Sequence, residues 1–309
     1  MKASSLPTRR DFLRNSTLSL TAGLLAAPSA QQALAAGLLQ FKAKLSAHMW
    51  VYASKYPPNW DATADLEKVF SDLHSAGFDG VEIMDVILGH DDAVQHLKRL
   101  VDQYQLPVSG ASYQGAMWDA TKHDEILADA TKVITRLAQV QGKTFGISVG
   151  DAGHLKTEAE FDAQAKILTS IRKLCADHGI LANLHNHTYE VRDDMHDLKG
   201  TLARIPDFKL GPDLNWLIRG GVDPVSFIKT YGHQMVYMHI RDQYKDGTWT
   251  EYVGQGVTDF AAIGAALRSA NFRGRAAVEL AFERGFVPTN PLADDWKRSH
   301  DYVIKTFGW

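Results

Sequence analysis

The chain has 309 residues, with 33 Lys and Arg against 36 Asp and Glu, one cysteine, 45% hydrophobic and 22% charged side chains. That is the composition of a soluble globular protein and excludes collagen, coiled coil and wholesale disorder. The lone Cys175 excludes a disulfide framework and a cysteine-based zinc site, and a formal charge of −3 gives no support to a nucleic-acid surface.

At the N-terminus, Thr8-Arg9-Arg10-Asp11-Phe12-Leu13-Arg14 precedes an Ala/Leu/Gly/Ser-rich run, and Ala33-Leu34-Ala35 offers an A-x-A cleavage site. A basic region, a short apolar run and a small-residue site in that order predict a cleavable signal peptide over residues 1–35. Its paired arginines resemble a twin-arginine export signal. Periplasmic or exported localisation by that route is therefore expected. The run is too broken by Ser, Thr, Gly and Pro for a membrane span. Cleavage removes Lys2, Arg9, Arg10, Arg14 and Asp11, leaving a mature net charge of about −6, which repels phosphate backbones and anionic lipid.

From residue 45, short β-rich runs alternate with longer amphipathic stretches. The predicted strands are Leu45–Tyr52, Gly80–Met84, Pro107–Ala111, Thr144–Val149, Leu181–His185, Lys209–Asp213, Met235–Ile240 and Arg275–Leu280. Between them lie helical patterns over Ala62–Ala76 (with Asp61 as N-cap), Asp92–Tyr104, His123–Val140, Glu158–His178, Asp193–Ala203, Pro224–Tyr231, Phe260–Ala270 and Leu292–Phe307. Gly77, Gly179, Gly232 and Asn271 stand where helices should stop. Eight β–α repeats in about 270 residues have the size and rhythm of an α/β protein folded as a single (β/α)8 TIM barrel, here residues 36–309. An open doubly wound sheet is disfavoured, because no Gly-x-Gly-x-x-Gly follows the first strand.

In such a barrel the chemistry gathers where strands end. The fifth run ends His185-Asn186-His187-Thr188-Tyr189-Glu190, and the sixth ends Asp213-Leu214-Asn215-Trp216. The seventh ends His239-Ile240-Arg241-Asp242, and the eighth carries Glu279. Alternation puts His185 and His187 on one face and pairs His239 with Arg241. Asp213, His239 and Glu279, with His185 as a fourth, make a divalent-metal set suited to Mn, Zn, Co or Fe.

These residues, with Gly220-Gly221-Val222-Asp223-Pro224 and Gly254-Gln255-Gly256 between them, resemble the xylose-isomerase-like TIM-barrel superfamily. The segment His185-Asn186-His187-x-x-Glu190 is similar to a branch with an HNHxxE fifth strand. That superfamily holds sugar isomerases and epimerases, dehydratases and a DNA-repair nuclease. The resemblance implies metal ligands at Asp213, His239 and Glu279. At the first ligand position relatives carry Glu and this chain has His185. Two residues are open for that role, His185 and Glu190, with His185 preferred. Trp216 stands where a nuclease would carry another His ligand.

The resemblance further implies chemistry next to a carbonyl: a metal-dependent sugar isomerase or epimerase, with Glu279, His187 or Glu190 moving the proton. Arg241, Trp216 and Glu82 are the expected substrate contacts, and the expected partner is a small-molecule sugar, with a homo-oligomer left open. Export favours an unphosphorylated sugar or keto-sugar. The alternatives are a dehydratase or lyase on the same site, or a non-catalytic sugar-binding subunit.

Overall fold

A computed structural model describes residues 43–309. The signal peptide expected over residues 1–35 lies outside the described residues. Seven parallel strands form one sheet: β1 (Leu45–His48), β2 (Gly80–Met84), β3 (Val108–Gln114), β4 (Thr144–Ser148), β5 (Leu181–Leu184), β6 (His239–Ile240) and β7 (Ala276–Glu279). Their order is β5-β4-β3-β2-β1-β7-β6. The helices are α1 (Trp50–Ala53), α2 (Leu66–Ala76), α3 (Ala93–Tyr104), α4 (His123–Gln139), α5 (Glu158–Asp177), α6 (Thr188–Arg204), α7 (Leu214–Arg219), α8 (Pro224–Tyr231), α9 (Phe260–Ser269) and α10 (Leu292–Phe307). This is a TIM-barrel-like α/β fold.

The predicted sixth strand, Lys209–Asp213, is not a strand. Leu210 instead makes single parallel bridges to Leu184 and to Met235, and Asp213 makes one to His239. The physical cause lies in the segment itself. Pro212 has no N–H to donate, and the Asp213 N–H goes to the Asn186 side-chain oxygen at 3.2 Å. The amide of Asn186 thus stands in for a neighbouring strand. The predicted first strand also ends early, at His48, because the His48 Nδ1 accepts the Trp50 N–H at 3.1 Å and starts the turn of α1. The predicted seventh strand shrinks to His239–Ile240, whereas β3 runs on to Gln114.

Alternation along the strands separates two faces. Leu45, Ala47, Val81, Ile83, Ala276 and Val278 are fully buried in the apolar core, as expected for parallel strands covered by helices. The other face carries Ser46, His48, Glu82 and Glu279, and the register sets His48 beside both Glu82 and Glu279. At the chain ends, α10 closes on α2: Trp296 Nε1 donates to Tyr52 Oη at 2.9 Å, and Tyr52 donates to Asp72 at 2.7 Å.

Local signals place most helix ends. Thr157 and Glu160 form a reciprocal capping box on α5, and Asp223 caps α8 with Pro224 at its first position. Asp61 accepts the Thr63 N–H at 3.0 Å, but the turn it opens is a 3-10 turn, and α2 proper starts at Leu66. Gly77 ends α2 in the left-handed region at φ 94°. Gly232 ends α8 with a right-handed conformation; it is glycine because a Cβ would lie 2.5 Å from the Ile228 carbonyl oxygen. The fifth crossover, predicted over Asp193–Ala203, is longer: α6 starts at Thr188 and bends at Asp193, Asp194 and Met195, all with positive φ.

Candidate metal centre

Four short segments on the strand ends build the site. Ligand-type atoms of His185, Asp213 and His239 all lie within 4.8 Å of one another. Asp213 opens α7: its Oδ1 accepts the Asn215 and Trp216 N–H groups at 2.8 and 2.9 Å. Its Oδ2 is buried without a hydrogen-bond partner. An orphaned buried carboxylate oxygen facing two imidazoles suits a cation, so these residues fit a divalent ion. Glu279, the other expected ligand, lies beside this trio rather than within it, with Oε2 2.8 Å from His239 Nδ1. Arg241 donates to Glu279 Oε1 and sits 3.6 Å from Asp213 Oδ2. A guanidinium therefore already balances both carboxylates.

The electrostatics follow from burial and neighbours. Burial alone would raise the Glu279 carboxyl, but Arg241, His48 and His239 hold it well below its ordinary range. Burial opposes charge on His239 as well, and Glu82 and Glu279 override it, so the imidazole pKa stands well above its usual value. His185 moves the other way, lowered by burial and by His239 and His187. His187 is lowered to about 4, chiefly by burial, and is neutral at pH 7. Asp213 is raised by burial against the pull of Arg241.

His187 stands beside the triad, its ring 5.0 Å from His185 and 5.7 Å from Trp216, with Nδ1 3.2 Å from Ser148 Oγ. Glu190 is not brought into the cluster. Its two oxygens accept the Val149 and His187 N–H groups at 3.3 and 2.7 Å, where it caps α6. Burial pushes its carboxyl well above the usual range. Glu82, expected to touch substrate, is 2% exposed and binds His239 and Tyr237.

One residue at the site, Trp249, escaped the sequence reading. Trp249 packs edge-on against Trp216 at 5.6 Å, and its ring lies 4.8 Å from the Arg241 guanidinium and 4.2 Å from that of Arg219. The turn signal Asp246-Gly247 could have found it, since Gln243 and Trp249 pair antiparallel across that turn. The motif Gly254-Gln255-Gly256 also has a physical role. Asp242 accepts N–H groups from Gln243, Gly254, Gly256 and Thr258, which staples down the loop carrying Trp249. A Cβ at Gly256 would lie 2.2 Å from the Gln243 carbonyl oxygen. His48 also joins the cluster, 3.8 Å from Glu279 Oε2.

No helix among the described residues is long and apolar enough to cross a membrane. No curated protein matches the chain. Similar solved structures include a sugar phosphate isomerase/epimerase from Parabacteroides distasonis ATCC 8503 (16% identity, TM-score 0.67, covering 84% of this chain and 93% of that one). A 3-keto-D-glucoside 4-epimerase from E. coli is 18% identical, with a TM-score of 0.64 over 85% of this chain and 100% of that one. A D-allulose 3-epimerase from Methylomonas sp. in complex with D-allulose is 18% identical, with a TM-score of 0.69 over 86% and 98%. At these identities the likeness is one of fold. The family model for the xylose isomerase-like TIM barrel matches residues 70–306, and the chain belongs to that family.

Proposed function

We propose that the protein is a divalent-metal-dependent sugar isomerase or epimerase acting at a carbon next to a carbonyl, on an unphosphorylated sugar or keto-sugar. The observation that carries this reading is the convergence of His185, Asp213 and His239 within 4.8 Å around an unpartnered Asp213 oxygen. The similar folds of sugar epimerases support it. His185, Asp213, His239 and Glu279 would hold a divalent ion, which would supply Lewis-acid stabilisation of the charge that develops when a C–H beside a carbonyl loses its proton.

The chain's own groups do the rest. Glu279, kept ionised by Arg241 and its histidine neighbours, accepts a proton from carbon at a carboxylate oxygen. His187, neutral near pH 7, is the second proton carrier. The contacts His187–His185–His239–Glu279 set these two groups at either end of the ligand set. Arg241 keeps a buried Nε without a partner, a donor for a substrate hydroxyl. Trp216 and Trp249 wall the site with indole surface suited to a sugar face. The export expected from the sequence of residues 1–35, and the engagement of Arg241 by carboxylates, favour a substrate without phosphate.

Elemental analysis of the mature protein and of His239→Ala tests the reading, followed by exchange of C–H protons into D₂O across a panel of keto-sugars. About one Mn, Zn, Co or Fe per chain, lost in the variant, and exchange at the carbon beside the carbonyl are expected. A reconstituted wild type without bound metal would overturn the metal-dependent reading. Exchange accompanied by loss of a leaving group would reassign the reaction to a lyase.

A further inference from the structure

Glu82 comes from β2, in the half of the sheet that contributes none of the four ligand candidates. The β2–β3 register shifts between Val81 and Glu82, an irregularity of the kind that re-aims a side chain. Glu82 Oε2 lies 2.6 Å from His239 Nε2, and Tyr237 donates its hydroxyl to the same oxygen at 2.8 Å. All three residues are 2% exposed. On the other edge of the imidazole, Nδ1 lies 2.8 Å from Glu279 Oε2 and is a buried atom without a well-formed hydrogen bond.

Resting on the metal reading above, we propose that Glu82 is a positioning residue, anchored by Tyr237, that holds the Nε2–H of His239 and so presents Nδ1 as the ligating nitrogen. A carboxylate on the far nitrogen of a ligating histidine fixes the ring's tautomer and orientation and makes it a stronger ligand. Glu82 is suited to this and not to substrate. Its carboxylate is sealed inside the barrel, and the oxygen that binds His239 is saturated by two protein donors. Two features of the sequence then share one explanation: an acidic residue inside an otherwise apolar β2, and a tyrosine two residues before the histidine ligand.

The test is titration of the full mature chain with Mn²⁺ and Zn²⁺, using the wild type, Glu82→Gln and Glu82→Ala. The Zn²⁺-loaded wild type, carrying ¹⁵N-labelled histidine, is also examined by long-range ¹H–¹⁵N NMR. Glu82→Ala is expected to weaken the metal by about 10–100-fold. Glu82→Gln, whose amide oxygen can still accept from Nε2–H and Tyr237, should stay within a few fold of wild type. The His239 spectrum should show a protonated Nε2 and a metal-bound Nδ1, a readout that does not depend on whether either variant folds. Unchanged affinity in Glu82→Ala, or a metal-bound Nε2, overturns the proposal and leaves the metal reading standing. Equal loss in Glu82→Gln and Glu82→Ala overturns it in favour of Glu82 as a direct ligand. A wild type that binds neither ion overturns the metal reading and this proposal with it.

Discussion

The two halves of the barrel are built to different rules. From β1 to β4 every strand pairs with its neighbours over several residues, with one register shift between β2 and β3: β3 has seven residues, and five of them pair with β4. From β5 to β7 the ladder is interrupted between β5 and β6: β6 has two residues, and the segment before it is joined only through single bridges. Yet His185, Asp213, His239 and Glu279 all come from the broken half. A strand spends its N–H and C=O groups on its neighbours, whereas a site needs side chains turned inward and backbone free to hold them. Around Asp213 the side chain of Asn186 takes over the backbone partnership, and the Asp213 carboxylate takes the N–H groups that open α7. The regular half supplies the frame, and Glu82 reaches from it to the irregular half.

The sharpest test of that contrast is Arg241→Ala. Arg241, 2% exposed, balances Glu279 and Asp213, and removing one partner of a buried ionic cluster costs about 3–5 kcal/mol. Urea unfolding of metal-free protein should show a loss of that size. A loss below about 1 kcal/mol would mean that the broken half is not held by this cluster.

Two glycines compare the halves directly. A Cβ at Gly110 on β3 would lie 2.5 Å from the Thr144 carbonyl oxygen and 2.2 Å from Thr144 Oγ1, whereas at Gly211 it would meet the Asn183 side-chain oxygen at 1.9 Å. Overpacking costs about 1–3 kcal/mol. Gly110→Ala should fall at the upper end, because the Thr144 backbone, paired with strands on both sides, cannot yield, and Gly211→Ala at the lower, because a side chain can rotate. Equal losses in thermal unfolding would erase the distinction.

Asp295, in α10 after β7, gives a pH-dependent test. It is fully buried and neither carboxylate oxygen has a hydrogen-bond partner; burial, then Glu251, pushes its pKa up to about 6. The folded state therefore holds this proton more tightly than the unfolded chain, whose Asp titrates near ~4. Its penalty appears as pH rises from ~4 through ~6 and stays constant above. Asp295→Asn should gain on wild type over that window, levelling at about 2–3 kcal/mol above it and vanishing below pH ~4. A gain that does not change with pH would assign the effect to packing.

The smallest effect is expected at the seam between the halves. Thr157→Ala removes one side of the capping box on α5 and should cost about 1 kcal/mol. Metal content should not change, since the cap holds a helix end and touches no ligand. Metal loss in this variant would tie the site to the seam.

Much of the molecule was legible because its signals are local. Apolar runs with turn residues at their ends marked seven of the eight strand positions. The helices expected from Glu158 and Pro224 start at those residues, where the structure caps them with Thr157 and Asp223. His185, Asp213 and His239 were legible as polar groups recurring at strand ends, and the structure brings them together. Glu190 was chosen as a carboxylate near that motif, but the capping geometry of α6 turns it toward the backbone. The sixth strand falls short of its expected length because Pro212, which has no N–H, interrupts the pairing that Leu210 and Gly211 begin.

Sequence alone thus determined the alternation of strands and helices, the faces of the strands and the chemical types at their ends, since these depend on neighbours a few residues apart. Only the tertiary structure decided the partnerships. Glu82 and His239 meet across the barrel at 2.6 Å, and Arg241 falls between Asp213 and Glu279. Trp249 reaches the site because Asp242 staples its loop through four N–H groups. A buried charge is stable only beside its counter-charge, and which counter-charge that is depends on how the sheet curls and which residues it brings abreast.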